Sequence, residues 1–294
     1  SIIKKADSDI SVAGWQFHVE GNGIDMDVTV DSQGRFNIPE LKPGWVTVSE
    51  INVPDYYQKP SSKRVEIIAG QTTEVQFYNR YLKGALKIHK DSEGGKMTAG
   101  VQFRVTGVAD NGKTYNQIHT VNSSGDLLVD GLYTGSYTVS EVGLPGIGIP
   151  SWIAAPASQT VRVNADQTST VTFYNALKRG SLEIQKQSED GQFIEGIGVR
   201  VYGTADCGEK YDQTFYSDLS GRIFVDGLLE GTYFTQELEE TVNPAYYVAA
   251  TQIVVIKADE TTQTQLYNKL KRVPLRIIKE SYNGKNLEGI QFLV

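Results

Sequence analysis

The sequence predicts an all-β fold in which small sandwich domains follow one another in tandem. Three observations carry that reading. The same residue constellation returns at intervals of 86, 96 and 93 residues. Period-two alternation of apolar and polar residues, as in VQFRV (101–105), VTVSE (46–50), YTVSE (137–141) and TVRV (160–163), fills the intervals. A composition of 29 glycines and 16 tyrosines in 294 residues suits short strands and tight turns.

The repeats fix each element in turn. Three segments end in a Tyr-Asn pair: TTEVQFYN at Asn79, TSTVTFYN at Asn175 and TTQTQLYN at Asn268. Eleven residues after each asparagine, a strand-like segment closes on a lysine: GALKIHK at Lys90, GSLEIQK at Lys186 and VPLRIIK at Lys279. The opening SIIK puts Lys4 in the same slot. Ten residues past each lysine stands a glycine (Gly14, Gly100, Gly196, Gly289), and three beyond it an apolar residue (Phe17, Phe103, Val199, Phe292). Turns reading DSQG, NSSG and DLSG carry Gly34, Gly125 and Gly221. Sixteen residues past these come Glu50, Glu141 and Glu237, each with a glycine (Gly44, Gly135, Gly231) six residues before it. The interval is too long for a solenoid repeat and fits whole domains. The reading is three complete units, 1–79, 80–175 and 176–268, with 269–294 beginning a fourth and stopping after about two strands. About seven short strands per unit imply a small sandwich. The links RYLKG, ALKRG and KLKRV are short and not built as flexible tethers.

Composition excludes several classes. With 28 basic and 35 acidic residues and a net charge of -7, no nucleic-acid role is expected. No apolar run reaches the roughly 18 residues of a membrane span. One cysteine rules out an intrachain disulfide, and three scattered histidines (His18, His89, His119) make no zinc set. No dinucleotide fingerprint, P-loop or HExxH pattern is present. Neither a cofactor nor a metal is expected. Starting at Ser1, the chain reads as a mature product or an excised fragment. Cys207 reads as an incidental thiol, and Trp15, Trp45 and Trp152 as packing residues. The loop GLPGIGIPSW (143–152) reads as structural.

Strand parity supplies the chemical clue. Leu86 and Ile88 share a face with Lys90, Leu182 and Ile184 with Lys186, and Leu275 and Ile277 with Lys279. Val75 and Phe77 lead to Asn79, Val171 and Phe173 to Asn175, and Thr264 and Leu266 to Asn268. Val46 and Val48 lead to Glu50, Tyr137 and Val139 to Glu141, and Tyr233 and Thr235 to Glu237. Each unit thus aims a lysine, a glutamate and an asparagine inward. Two readings stand on these residues alone. The three groups form a polar network, or turn outward and are solvated. Alternatively they react: desolvation lowers the lysine pKa and raises that of the glutamate, leaving a neutral amine beside an acid that polarises the carboxamide.

The order and spacing of these pieces resemble the Cna-B or SpaA-type domains of Gram-positive surface adhesins and pilins. The matching segments are Lys90-DSEGGKMTAGVQF, the G-x-Y-T-V-x-E run from Gly135 to Glu141, and the F-Y-N strand from Phe173 to Asn175. The resemblance covers nearly the whole chain. It implies transthyretin-like, immunoglobulin-like sandwiches arranged as a rod. It also implies self-generated isopeptide bonds Lys4–Asn79, Lys90–Asn175 and Lys186–Asn268, promoted by Glu50, Glu141 and Glu237. The implied function is a stalk segment of an extracellular, cell-wall-anchored adhesin. It would be monomeric and not an enzyme beyond that single turnover, and another part of the full protein would meet a host protein or glycan. Unit three departs from the pattern with YFTQE, and Lys279 has no later glutamate or asparagine in these residues. The alternatives are a ligand-binding adhesin module and a pilin backbone. For the pilin backbone, no YPKN-like or LPxTG-like segment is found.

Overall fold

The computed structural model describes residues 1–284 and 288–293. Among them three β-sandwiches follow one another. The first is built from β1 (Ile2–Ala6), β2 (Gln16–Gly21), β3 (Ile24–Thr29), β4 (Arg35–Phe36), β5 (Gly44–Ile51), β6 (Lys63–Ile67) and β7 (Val75–Asn79). The second has β8 (Lys83–Ser92), β9 (Gln102–Ala109), β10 (Thr114–Thr120), β11 (Asp126–Tyr133), β12 (Gly135–Gly143), β13 (Ile153–Ala154), β14 (Gln159–Val163) and β15 (Thr168–Leu177). The third has β16 (Arg179–Ser188), β17 (Gly198–Ala205), β18 (Lys210–Tyr216), β19 (Arg222–Leu229), β20 (Gly231–Glu237), β21 (Gln252–Ile256) and β22 (Thr261–Asn268). Two compact bodies result. One, Ser1–Ala176, holds the first two sandwiches, and the other, from Leu177 on, holds the third. No described helix is long and apolar enough to cross a membrane.

Each sandwich repeats one topology. One sheet holds the first and last strands side by side: β4-β1-β7, β11-β8-β15-β13 and β19-β16-β22. The other is a four-stranded sheet: β3-β2-β5-β6, β10-β9-β12-β14 and β18-β17-β20-β21. First and last strands run parallel (β1 with β7, β8 with β15, β16 with β22). A parallel pair needs a long crossover, and here the whole domain supplies it. The alternation in the sequence becomes burial: along β7 Val75, Phe77 and Asn79 point in while Gln76 and Tyr78 point out. The cores hold Phe17, Val48 and Phe77; Leu86, Phe103, Val139 and Phe173; and Leu182, Val199, Tyr233 and Leu266. Fully burying each such side chain contributes about 1.5–3 kcal/mol.

Beyond Asn268 the structure differs from the sequence reading. Leu270 bridges to Tyr246, and Arg272 pairs with Glu189 at 2.6 Å. From Lys271 on, no described residue lies in a strand, and Leu275, Ile277 and Phe292 are exposed. Among the described residues the two expected strands do not form, for a physical reason. In the three sandwiches the lysine strand is held by a parallel asparagine strand, and none follows Lys279 in these residues. An unpaired strand is not stable alone.

One core position is out of character. Thr235 occupies in β20 the slot of Val48 in β5 and Val139 in β12, is fully buried, and its hydroxyl has no hydrogen-bond partner. An unsatisfied buried hydroxyl costs on the order of 1 kcal/mol or more. We predict that Thr235→Val stabilises the third sandwich by about 1 kcal/mol, read as an upward shift of its denaturation midpoint. An unchanged or lower midpoint would contradict the assignment.

Candidate functional site

The inward lysine, glutamate and asparagine of each sandwich are brought together. Strand register does this. Lys4 lies opposite Phe77, so Asn79 is its diagonal neighbour on the adjacent strand. Lys90 lies opposite Phe173 and Lys186 opposite Leu266, which gives Asn175 and Asn268 the same offset. Diagonal neighbours on one sheet face lie within reach of a long side chain. The glutamate comes from the facing sheet, where Glu50, Glu141 and Glu237 sit opposite Phe17, Phe103 and Val199. Those are the apolar residues that recur three positions after the first glycine of each repeat.

The turn glycines fix the lysine backbone. The carbonyls of Gly34, Gly125 and Gly221 accept the amide protons of Lys4, Lys90 and Lys186 at 2.6, 2.8 and 2.7 Å. These glycines have φ of 73°, 78° and 76°. A Cβ on them would lie 2.6, 2.1 and 2.5 Å from the lysine carbonyl oxygen. Only glycine allows both the conformation and the approach.

All three lysines and all three asparagines are buried. Glu50 and Glu237 are buried too, while Glu141 is half-buried. In the first site Lys4 Nζ lies 3.5 Å from Glu50 Oε1, donates to the carbonyl of Lys5 at 3.0 Å and sits 4.2 Å from the centre of the Trp15 ring. The Asn79 carboxamide makes no hydrogen bond. In the second, Lys90 donates to the carbonyl of Asp91, and Asn175 Nδ2 donates to Glu141 Oε1 at 2.8 Å with Met97 Sδ at 3.6 Å. Asn175 Oδ1 has no hydrogen-bond partner. In the third, Lys186 Nζ lies 3.5 Å from Glu237 Oε1, and Asn268 Nδ2 donates to Glu237 Oε2 at 2.6 Å and to the Tyr247 carbonyl at 2.8 Å.

Burial pushes Lys4, Lys90 and Lys186 below the ordinary lysine pKa, against the opposing pull of the neighbouring glutamate. Burial likewise raises Glu50, against the pull of Lys4. A pair made of neutral amine and protonated acid carries the same number of protons as the ion pair. Desolvation, rather than bulk pH, therefore selects between the two forms. The neutral form holds a nucleophile and an acid on one carboxamide. In the second and third sites the carboxyl touches the amide nitrogen, the atom that leaves as ammonia on transamidation.

Sequence reasoning missed the residues that surround the sites. Trp15 covers Lys4 and Met97 lies on Asn175. Tyr247, whose carbonyl binds Asn268, belongs to a P-x-Y-Y run (244–247) that recurs at 54–57, a signal present in the chain. Trp45, expected to pack, is exposed, with the Arg64 guanidinium 4.8 Å above its ring. Cys207 is a half-buried free thiol. Lys279 is exposed.

The profile of the SpaA prealbumin-like fold domain matches residues 1–81, 84–177 and 180–270. A search of curated proteins finds no match. Among solved structures the chain is similar to the Bacillus anthracis TIE protein, at 20% identity and a TM-score of 0.60, covering 91% of this chain and 50% of that one. It thus spans about half the length of that protein, and the likeness is one of fold. BcpA, the major pilin subunit of Bacillus cereus, matches at 12% identity and a TM-score of 0.49, covering 92% of this chain and 98% of that one. A streptococcal ancillary pilin matches at 16% identity and a TM-score of 0.36, covering 92% and 98%.

The opposed shifts predict an unusual pH dependence in Asn79→Ala, which keeps both the Lys4 and the Glu50 side chains. Glu50, raised in the folded state, keeps a proton there that the unfolded chain has lost. Stability therefore falls as pH rises from the ordinary 4.5 through the folded value. Lys4, lowered in the folded state, loses its proton before the unfolded chain does, so stability climbs again from the folded value towards 10.5. Urea denaturation of Asn79→Ala across pH should show a stability minimum between these two windows in the first sandwich. A flat or steadily rising profile would contradict the shifts.

Proposed function

The chain belongs to the family of SpaA prealbumin-like fold domains, and we propose that its sandwiches form a stalk segment of a Gram-positive surface adhesin, each tied by an isopeptide bond. The bonds are Lys4–Asn79, Lys90–Asn175 and Lys186–Asn268, promoted by Glu50, Glu141 and Glu237. The observation that carries this reading is the threefold recurrence of a buried lysine beside a buried asparagine on parallel first and last strands, facing a glutamate.

The neutral lysine amine attacks the carboxamide carbon. The glutamic acid polarises the carbonyl and relays the proton from the attacking nitrogen to the leaving one. Amine and carboxamide give a secondary amide and one ammonia. The lysine amine and the asparagine carboxamide are consumed once while the glutamic acid is regenerated, so in this reading the chain is not a turnover enzyme. An extracellular, wall-anchored location follows from this reading, as does a monomeric state. Contact with a host protein or glycan falls to another part of the full protein.

The purpose is mechanical. In a tandem chain, tension enters a sandwich along its first strand and leaves along its last. A bond from Lys90 to Asn175 carries tension directly from β8 to β15, and residues 91–174 are bypassed. The loop closed by each bond, 75 to 85 residues by the numbering, is worth about 4.5 kcal/mol by chain-entropy arithmetic. A chain with one cysteine obtains from these bonds the closure that disulfides give other small extracellular domains.

Glu141→Ala should abolish the Lys90–Asn175 branched peptide in a proteolytic digest while the other two crosslinked peptides persist. A Lys90–Asn175 crosslink in that variant would assign the proton relay elsewhere. In the unaltered chain no branched peptide should contain Lys279, and finding one would contradict the pairing of all three asparagines.

A further inference from the structure

The three sites share their reactive groups but differ in what covers them. The residue after the first repeated glycine is Trp15 in the first sandwich, Val101 in the second and Ile197 in the third. Gly14, Gly100 and Gly196 all have positive φ, at 77°, 72° and 70°, so the chain turns alike at each. Val101 and Ile197 are buried aliphatic side chains. Trp15 alone offers an aromatic face, and Lys4 Nζ lies 4.2 Å from its centre.

Trp15 is held at three points, two of them on the indole. Its Nε1 donates to the Ser11 carbonyl at 2.8 Å, and its backbone carbonyl accepts from Val30 at 3.0 Å. The Tyr57 ring meets it edge-on at 5.1 Å. Tyr57 in turn stacks on Tyr81 at 4.9 Å, and Tyr81 meets Tyr133 of the second sandwich at 5.2 Å. Lys113 lies 4.9 Å from both of those rings and pairs with Asp9. A continuous aromatic column thus runs from the Lys4 amine to the second sandwich, all within the body Ser1–Ala176.

We propose that Trp15 is a positioning residue of the first site, its indole face holding the Lys4 amine toward Asn79 and closing the site to water. The inference rests on the isopeptide reading above. Two effects of the ring oppose each other. Its face favours an ammonium, whereas excluding water from a buried ion disfavours that ammonium more strongly. Exclusion is the larger, so the covered amine is driven toward its neutral, nucleophilic form. The charged and titratable groups around it are Glu50 from β5, Lys59, whose charge reaches the Glu50 carboxyl, and the Tyr57 phenol behind Trp15.

The test is cell-free synthesis of the full chain at a series of pH values, quenched at intervals, with each branched peptide quantified by mass spectrometry. The second and third sites serve as internal controls in the same molecule. Trp15→Phe, which keeps a ring face, should form the Lys4–Asn79 bond at near the unaltered rate. Trp15→Ala should slow that bond at least tenfold and move its pH–rate profile upward, with the other two bonds unaffected. Trp15→Ala with an unchanged rate and profile in the first site would overturn the proposal. Should hydrogen exchange show β5 unprotected in Trp15→Ala, Trp15→Leu decides: unchanged rate and profile overturn the proposal, and slowing in a folded domain supports it. If no site forms a bond in any variant, the isopeptide reading itself fails, which is a different outcome.

Discussion

A lysine amine shut between two β-sheets cannot stay charged without a partner, and the rest of each sandwich is arranged around that constraint. The amine of Lys4 or Lys186 has a glutamate 3.5 Å away and little else polar beyond neighbouring backbone carbonyls. An ion pair in such a place recovers little of its desolvation cost. A neutral amine and a neutral acid avoid most of that cost, and an amide bond removes the ionisable amine altogether. The same burial that makes the lysine expensive as a structural element favours the neutral amine that the proposed reaction needs.

That constraint explains features that otherwise look unrelated. The first and last strands must be neighbours and parallel, since only this register puts lysine and asparagine on one diagonal of one face. The facing sheet must present its glutamate over the same diagonal, and an apolar residue opposite it in the sheet excludes water. The aromatic pairs Phe17–Phe77 and Phe103–Phe173, at 5.0 and 4.9 Å, provide that in the first two sandwiches. Val199 and Leu266 do so in the third. The third site supports its carboxylate by another route, since the Ala249 amide donates to Glu237 Oε2 at 2.7 Å.

Much of this was legible in the residues. Period-two alternation carried Lys90, Asn175 and Glu141 to the core side of their strands because parity in a strand leaves no choice of face. The fixed offsets to Gly34, Gly125 and Gly221 marked a backbone constraint, and the structure identifies it as close approach to the lysine carbonyl. Parity could not say which strands pair, so the parallel register and its diagonal were not legible. Nor could it say what lies over the end of a strand. The positions of Trp15, Met97 and Tyr247 depend on loop paths between strands. The described residues after Lys271 show the converse limit: a segment with a strand's pattern and no partner among them does not form one.

The measurement that tests the central claim most directly is the intact mass of the folded chain under denaturing, reducing conditions. Three bonds predict a mass lower than that of the sequence by three molecules of ammonia. A folded chain at the full sequence mass would contradict the account and leave the buried lysines as members of a polar network.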